Sequence, residues 1–277
     1  MLGYIIGGAA AVFAFLYSQN NIFSKTKYTI NSDVSASFRI VHLSDLHSKT
    51  FGNRLVKAVA KEKPHLIAVT GDLIDDDRKN PQKMIVFMGK LTKIAPVFYC
   101  VGNHDHRFAE MEENFEGLRK NGVTVLQNKI IRFNANGEII NILGLDENQA
   151  SKENYKQRRN GKFTYKDNRL YFDELKKHGG FKLVLSHYPE NFAAIGEKSY
   201  NRFDFDLMLA GHAHGGQFRF PIIGGIYAPG QGLFPKYCSG EHGDRPKLIV
   251  SRGLGNSNFP FRLFNLPQII SITVKPK

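Results

Sequence analysis

The chain has 277 residues, of which 42% are hydrophobic and 23% are charged. These proportions are typical of a globular protein and argue against a disordered chain, and the length is enough for one large core or two small ones. The net charge of +13 favours anionic partners such as nucleic acid, anionic lipid or phosphorylated metabolites. The two cysteines, Cys100 and Cys238, are too few for a disulfide framework and form no CxxC pair.

An apolar run without charged residues, "LGYIIGGAAAVFAFLY", occupies residues 2–17. It is slightly shorter than the roughly 20 residues of a membrane-spanning helix. No basic residue precedes it, and no small-x-small cleavage site follows it. We predict that residues 1–23 form an uncleaved hydrophobic anchor. A signal peptide or a buried or interfacial segment are the alternatives. The basic residues Lys25 and Lys27 follow the run, so the positive-inside rule favours a membrane-associated protein with a cytoplasmic catalytic domain.

Residues 24–37 are polar and are expected to be a spacer before a catalytic domain at 38–277. The domain then opens with alternating strands and helices. Apolar runs predict strands, and helical spacing predicts the segments between them, in the order strand 38–43, helix 53–64, strand 65–70, helix 81–93 and strand 96–101. This βαβαβ pattern is typical of parallel strands joined by crossover helices.

The pattern changes after a further helix at 110–122. Three short strands, at 124–128, 130–134 and 138–145, suggest a meander that is added to a second sheet. The stretch 151–169 is strongly basic and has no clear period, and we hypothesise that it is a mobile flap that docks on a membrane. The remaining elements are a helix and four strands, namely 170–180, 181–187, 205–216, 247–255 and 268–275.

Five of the apolar strands end in a cluster of Asp, Asn or His. Because ligands of α/β sheets bind beyond the carboxyl ends of the strands, these clusters are expected to converge. Oxygen and nitrogen ligands of this kind indicate a metal site. The candidate ligands are Asp45, His47, Asp72, Asn103, His187, His212 and His214.

Seven candidate ligands exceed what one ion needs, and a carboxylate can bridge two ions. Two ions about 3.5–4 Å apart can hold the attacking and leaving oxygens of a phosphoryl transfer and acidify a bound water. The glycines in "GHAHGGQ", Gly211 and Gly215, are expected to let one tight loop direct both of its histidines at the ions. Gly71 and Gly102 are expected to act in the same way before Asp72 and Asn103.

The blocks "SDLH", "GD", "GNHD", "SH" and "GHAHGGQ", in this order, resemble the calcineurin-like metallophosphoesterase superfamily. The resemblance covers about residues 38–275 and implies a four-layer α/β/β/α sandwich of two mixed sheets flanked by helices. It implies that two divalent cations are cofactors, with Mn²⁺ as the first candidate and Fe, Zn, Mg or Co as alternatives. In the roles it implies, one ion is held by Asp45, His47 and His214, the other by Asn103, His187 and His212, and Asp72 bridges them.

Further roles are implied for the residues that follow Asn103. His104 would face the scissile phosphate and protonate or stabilise the leaving oxygen. Asp105 could hold that imidazole in one tautomer. In the C-terminal "SRGLGNSNFPFR", Arg252 and Arg262 are candidates for binding a substrate phosphate. This chain departs from the pattern at Gln268, where a Glu is more usual, so a supporting salt bridge is not expected there.

The blocks "SRGLG" and "PFRLFNLPQ" are similar to a branch of membrane-associated bacterial phosphoesterases. That branch includes enzymes that cleave UDP-2,3-diacylglucosamine. The expected function is hydrolysis of a phosphodiester or pyrophosphate bond by a metal-bridging hydroxide. The expected substrate is an anionic phosphate-containing small molecule or lipid, such as a lipid-linked or nucleotide-sugar ester. "GNHD" differs from the "GNHE" of protein Ser/Thr phosphatases and argues against phosphoproteins.

Two alternative functions remain open. The positive charge would also suit a nuclease of the same superfamily, whose activity should fall steeply with salt. A metal-binding scaffold without catalysis would be expected to lack ligands or His104, whereas every one of these positions is filled. No protein partner is inferred, and the chain is expected to be a monomer.

Overall fold

The computed structural model describes residues 1–75, 80–108, 110–147, 166–193, 196–256 and 259–277. Most of the basic stretch 151–169, on which the flap hypothesis rests, therefore lies outside the described residues. The helices in the described ranges are α1 (Leu2–Asn21), α2 (Asn53–Lys61), α3 (Pro81–Thr92), α4 (Met111–Lys120) and α5 (Arg169–Lys176).

The strands follow the predicted order closely and add several short ones. In the first half of the chain they are β1 (Ser24–Ser32), β2 (Phe38–Leu43), β3 (Leu66–Thr70), β4 (Val97–Cys100), β5 (Val123–Leu126), β6 (Lys129–Ala135) and β7 (Glu138–Gly144). In the second half they are β8 (Phe181–Leu185), β9 (Leu207–Ala210), β10 (Arg219–Phe220), β11 (Gly224–Gly225), β12 (Tyr227–Ala228), β13 (Gly232–Leu233), β14 (Gly240–His242), β15 (Lys247–Val250) and β16 (Gln268–Pro276).

Two six-stranded mixed sheets form the centre of the molecule. The first has the order β1-β16-β2-β3-β4-β5, and the second has the order β14-β15-β9-β8-β7-β6. In the first sheet β2 to β5 run parallel, and β16 lies antiparallel to β2. In the second sheet β7, β8, β9 and β15 run parallel, with β6 and β14 antiparallel at the two edges.

Apolar side chains alternate between the two faces of each strand and so build three buried layers. Ile40 and Leu66 point between the sheets, where they pack with Leu183 and Leu209 of the second sheet. Val41 and its equivalents on the other side of the first sheet pack under α2, α3 and α4. The outer face of the second sheet packs under α5 and the short helical turns Pro189–Phe192 and Tyr200–Arg202. This arrangement confirms the expected four-layer α/β/β/α sandwich.

The structure corrects the predicted meander. β5 continues the first sheet as the parallel neighbour of β4, and only β6 and β7 form a hairpin in the second sheet. The reason is that α4 precedes β5, and a crossover helix delivers the next strand parallel to the previous one in the same sheet.

The segment predicted as a polar spacer contains β1. This strand pairs in parallel with β16 over residues 24–32 and forms one edge of the first sheet. Its side chains alternate between partly buried and exposed, as edge strands allow, so its polar composition does not exclude a strand.

The predicted N-terminal anchor is helical from Leu2 to Asn21. Within the described part of the chain, however, no helix combines the length and the apolar character needed to cross a membrane. The expectation of a transmembrane helix is therefore not supported.

Candidate metal centre

The loops that follow β2, β3, β4, β8 and β9 converge at one edge of the sandwich. Each of these strands is parallel within its sheet, so their carboxyl ends lie on the same side. All seven predicted ligands are brought together there, and each is at most 7% exposed. The convergence that the sequence predicts is therefore found in the structure.

One group of donors consists of Asp45, His47 and His214. The Nε2 atoms of His47 and His214 lie 3.2 Å apart, and Nε2 of His214 lies 3.5 Å from a carboxylate oxygen of Asp45. The Asp45 carboxylate also accepts the backbone N–H of His212, so the loop after β2 is bound directly to the loop after β9.

The second group consists of Asn103, His187 and His212. The Nε2 of His187 lies 3.1 Å from Oδ1 of Asn103 and 3.2 Å from Nδ1 of His212. The other ring nitrogen of His187, Nδ1, lies 2.8 Å from the carbonyl oxygen of Thr70. That carbonyl can only accept, so Nδ1 carries a proton, and Nε2 is the nitrogen at which a cation could take the place of a proton.

Asp72 lies between the two groups. Its Oδ2 is 3.6 Å from Nε2 of His47 and 3.2 Å from Nε2 of His187. Its Oδ1 accepts the backbone N–H of His104 at 2.8 Å, which holds the carboxylate in a fixed orientation. One oxygen therefore faces both groups, which is the placement that a bridging ligand requires.

The donor set fits two divalent cations. Ring nitrogens and carboxylate oxygens crowd together in the protein interior, where lone pairs aimed at one point repel each other unless a cation lies between them. Within the described residues, three overlapping sets of His and Asp side chains have ligand atoms close enough to share an ion. They are Asp45 with His47 and His214, His47 with Asp72 and His104, and Asp72 with His187 and His212.

The backbone at these positions is strained. A positive φ is uncommon for residues other than glycine, and it is tolerated mainly where the surrounding structure enforces it. Five of the seven predicted ligands adopt it, namely Asp45, His47, Asp72, His212 and His214. Such strain clusters at functional sites, and here it aims side chains from three loops at one point.

The expected role of the glycines is only partly correct. Gly71 and Gly215 have positive φ, as the tight turns require. Gly211 and Gly102 are needed for close approach instead. A Cβ on Gly211 would lie 1.9 Å from Oγ of Ser44, and one on Gly102 would lie 2.3 Å from Oδ1 of Asp72.

Charge compensation within the site is carried by Asp72 and His187. Burial disfavours the charged form of both side chains. The charged imidazole of His187 nevertheless holds the pKa of Asp72 well below its usual value. Against burial, Asp72 raises the pKa of His187 to about 10, whereas burial lowers the pKa of His47 to about 3. Burial raises the pKa of Asp45 to about 6. A divalent cation would replace the His187 proton as the partner of the Asp72 charge.

His104 lies beside the metal-binding groups. Its ring centroid is 4.7 Å from that of His47, and its side chain is 5% exposed. The guanidinium NH1 of Arg107 lies 3.3 Å from Nδ1 of His104. Because a guanidinium can only donate, Nδ1 is the accepting nitrogen of a neutral imidazole, and Nε2 carries its proton.

Asp105 has a different position from the one expected. Its carboxylate accepts the backbone N–H groups of Asp72, Leu73 and Gly102 at 2.8–3.2 Å. These contacts fix the loop that presents Asp72. The residue that contacts Nδ1 of His104 is Arg107, which the sequence analysis did not single out.

The two candidate phosphate-binding arginines both point into the protein. Arg262 is 1% exposed, and its guanidinium contacts the carbonyl oxygens of Arg252 and Gly255. Its NH2 also lies 3.4 Å from Nδ1 of His214. Arg252 donates to Oγ of Ser24 at 2.7 Å, at the β1 edge of the first sheet. This placement does not support a grip on a substrate phosphate by either residue.

Gln268, where the family pattern more often has Glu, makes two hydrogen bonds with its side-chain amide. The Gln268 side chain accepts the backbone N–H of Arg252 at 3.0 Å and donates to Oγ1 of Thr26 at 2.6 Å. A neutral amide suits this position because it donates and accepts at the same time.

Glu147 is a buried residue at the site edge that the sequence analysis missed. Its carboxylate accepts the backbone N–H groups of His187 and Tyr188 and the side chains of Ser186, Asn191 and Tyr200. It therefore fixes the loop after β8. The signal was present in the sequence, because Glu147 follows β7 at the same sheet edge as the ligands.

Comparison with known proteins identifies a family and several relatives. The family model described as calcineurin-like phosphoesterase matches residues 38–216. The metallophosphoesterase YkoQ of Bacillus subtilis is 28% identical, over 97% of this chain and 98% of its own length. The phosphodiesterase YaeI of Escherichia coli is 29% identical, over 86% of this chain and 82% of its own. A crystal structure of the Thermus thermophilus protein TT1561 superposes with a TM-score of 0.49 and 13% identity, covering 79% of this chain and 91% of that one.

Proposed function

Because this chain belongs to the calcineurin-like phosphoesterase family and is a metal-dependent phosphoesterase, we propose that it hydrolyses a phosphodiester or pyrophosphate bond at a dinuclear centre. The observation that carries the proposal is the position of Asp72. A single oxygen of its carboxylate faces donors of both groups, within 3.6 Å of His47 and 3.2 Å of His187. Two ions in these groups would be bridged by that oxygen.

The roles of the ligands follow from this geometry. Asp45, His47 and His214 would hold one ion, and Asn103, His187 and His212 would hold the other. When bound, two such ions supply Lewis acidity toward the phosphate oxygens and lower the pKa of the attacking water. The protein contributes the fixed orientation of the donors, which the strained loops and the hydrogen bonds of Asp105 and Glu147 maintain.

His104 would act on the leaving group. Arg107 contacts Nδ1 of its imidazole, so a neutral His104 carries its proton on Nε2. The Nε2–H of a neutral histidine beside the metal groups can stabilise the negative charge that develops on the departing oxygen through a hydrogen bond. The guanidinium of Arg107 also adds positive charge next to the place where an anionic phosphate would lie.

Two observations favour a diester or pyrophosphate over a phosphoprotein. The block "GNHD" differs from the corresponding block of protein Ser/Thr phosphatases, and the Escherichia coli relative is named a phosphodiesterase. We further propose a lipid-linked or nucleotide-sugar ester as the natural substrate, with UDP-2,3-diacylglucosamine as the first compound to test. This choice is supported by the similarity of "SRGLG" and "PFRLFNLPQ" to the branch that contains such enzymes.

The test is hydrolysis of bis-p-nitrophenyl phosphate and of p-nitrophenyl phosphate by the full chain with Mn²⁺, followed by a screen of nucleotide sugars, phospholipids and cyclic nucleotides. We expect the diester to be hydrolysed faster than the monoester. Faster hydrolysis of the monoester would contradict the proposed bond type. Hydrolysis of DNA with a steep salt dependence would favour the nuclease alternative that the net charge of +13 raises.

A further inference from the structure

The first turns of α1 are exposed on all sides. Every residue from 3 to 15 is exposed, and the helix carries no charged side chain. Large apolar side chains, including Ile5, Val12 and Phe13, therefore face outward in several directions around the helix axis. A helix that is apolar all round requires apolar surroundings on every face. A folded protein partner would cover one side of it, whereas lipid can surround it.

A second group of exposed apolar side chains lies on the loops beside α1. We call it the apolar platform. It consists of Phe220, Ile222, Ile223, Phe234, Phe261 and Phe264, all of them at least 39% exposed. Monomeric soluble proteins rarely expose this many large apolar side chains on neighbouring loops unless the surface is used for binding.

The platform and α1 form one continuous surface. The ring of Phe15 in α1 lies 5.5 Å from that of Phe264, which lies 6.1 Å from that of Phe220. Phe220 begins the turn of the hairpin formed by β10 and β11, and Ile222 and Ile223 lie at the tip of that turn. The side chains thus extend from the helix to the hairpin without a charged interruption along these contacts.

This surface also lies next to the metal centre. Gln217 follows His214 by three residues, and its side chain donates to the carbonyl oxygen of Phe261 at 3.0 Å. Asn265, next to Phe264, donates to the carbonyl oxygen of His214 at 2.7 Å. A partner bound to the platform is therefore held close to the loop that carries His212 and His214.

The base of α1 borders a basic cavity of about 600 Å³. Asn20 and Asn21 from the end of α1 contribute to its wall, together with Lys49, Arg54 and Lys83. Its described lining contains three basic residues and no acidic one. Ser48, which directly follows the candidate ligand His47 in the chain, also lines this cavity. Positive charge at the base of an apolar helix complements the phosphates of an anionic membrane surface.

We infer that α1 and the apolar platform dock on an anionic phospholipid bilayer, with the exposed turns of α1 in the apolar layer and the basic cavity at the headgroups. The docked orientation holds the metal centre beside the headgroup layer. The inference depends on the exposed surface and its charge and not on which phosphate ester is the substrate. It can therefore fail or hold independently of the proposed function.

The first experiment tests the apolar part. The full chain is mixed with vesicles of phosphatidylcholine and phosphatidylglycerol, and the bound fraction is measured by flotation. Combined Ile222→Ser and Ile223→Ser should weaken binding by about tenfold, because two exposed isoleucines lose their contact with lipid. The matched control is Leu170→Ser, since Leu170 is 80% exposed on α5, in the outer layer of the second sheet. It should leave binding unchanged.

The second experiment tests the basic part. Combined Arg54→Ser and Lys83→Ser should weaken binding to phosphatidylglycerol vesicles by about thirtyfold, at about 1 kcal/mol for each lost charge. Binding to pure phosphatidylcholine should hardly change. Lys57→Ser with Lys90→Ser is the control, because these lysines are exposed on the same two helices but do not line the cavity.

Circular dichroism and thermal unfolding verify that each variant is folded. Equal vesicle binding by the wild-type chain and the Ile222/Ile223 variant would overturn the inference for the platform. A chain that forms dimers, ignores vesicles and becomes monomeric in that variant would show that a second copy occupies this surface instead. If the cavity variant and its lysine control weaken vesicle binding equally, the inferred contact between the cavity and the headgroups is wrong. Binding would then depend only on the net charge of the protein.

Discussion

The two oxygens of Asp72 have different surroundings and therefore different tasks. Oδ1 accepts the backbone N–H of His104, and Oδ2 faces His47 on one side and His187 on the other. His104 in turn lies beside the donors while Arg107 contacts its outer nitrogen. These contacts give the two residues different roles: Asp72 would bind metal, and His104 would stabilise the leaving oxygen. Substitutions can distinguish the two roles.

Replacement of the bridging carboxylate should remove metal. In Asp72→Asn a neutral amide takes the place of a charge shared by two cations, so at least one ion and most activity should be lost. Metal analysis of the purified variant provides the measurement. Two ions per chain together with near-normal turnover would rule out a bridging role for Asp72.

His104→Ala should give a different result. The metal content should stay at the wild-type level while kcat falls by about 10²–10³, the usual contribution of one positioned hydrogen-bond donor to a developing oxyanion. The loss should be smaller for esters with good leaving groups, whose departing oxygen needs less stabilisation. If the variant loses metal to the same extent as a ligand variant, His104 has been assigned the wrong role.

The loops after the strands depend on buried carboxylates that do not face the ions. Asp105 holds the loops after β3 and β4 through three backbone N–H groups, and Glu147 holds the loop after β8 through five donors. Each donor would be left unsatisfied in the interior without its acceptor, at a cost of about 1–3 kcal/mol. The geometry of the metal ligands is therefore set in part by residues that contact the ligand loops and do not themselves face the ions.

Glu147→Gln should weaken metal binding without removing a ligand. The new amide N–H groups would face existing donors, so the free energy of unfolding should fall by about 2 kcal/mol, and the affinity for one ion should fall with it. Both can be measured by chemical denaturation and metal titration.

Glu138→Gln is the matched control for this prediction. Glu138 lies at the opposite end of β7, where its buried carboxylate accepts N–H groups of Ser35 and Ala36. The control should lose stability but keep its metal affinity. Equal metal affinity in both variants would show that Glu147 supports the fold alone.

The whole molecule is a layered core that carries a strained, charged edge. Three apolar layers hold the sheets and helices together, while five residues with positive φ lie among the crowded donors at the edge. Cations would offset both the repulsion between donors and part of the strain. The stability of the domain should therefore depend on bound metal.

Removal of metal by a chelator should lower Tm. A ligand present at 1,000 times its Kd stabilises a folded protein by about 4 kcal/mol, and this contribution disappears with the ion. Differential scanning calorimetry with and without EDTA gives the measurement, and Asp72→Asn should show a smaller change than the wild-type chain. Identical Tm values for the wild-type chain with and without EDTA would contradict the fit of the donors to metal.

The sequence by itself determined the elements that depend on local spacing. β2 has the predicted bounds, and β3, β4, α2 and α3 differ from prediction by a few residues at most. The seven clustered ligands were also visible, because the carboxyl ends of parallel strands must meet at one edge once the strands are recognised. These inferences need only neighbouring residues and one topological rule.

Only the tertiary structure decided the features that depend on distant partners. β1 is a strand because β16, more than 240 residues later, lies beside it, and a polar edge strand has no local apolar signal. Arg262 looked like a phosphate-binding residue, yet its burial against His214 and Gly255 places it behind the ligands. The apolar platform joins α1 to loops near residues 220 and 264. Its members are scattered along the chain, so packing alone brings them onto one surface.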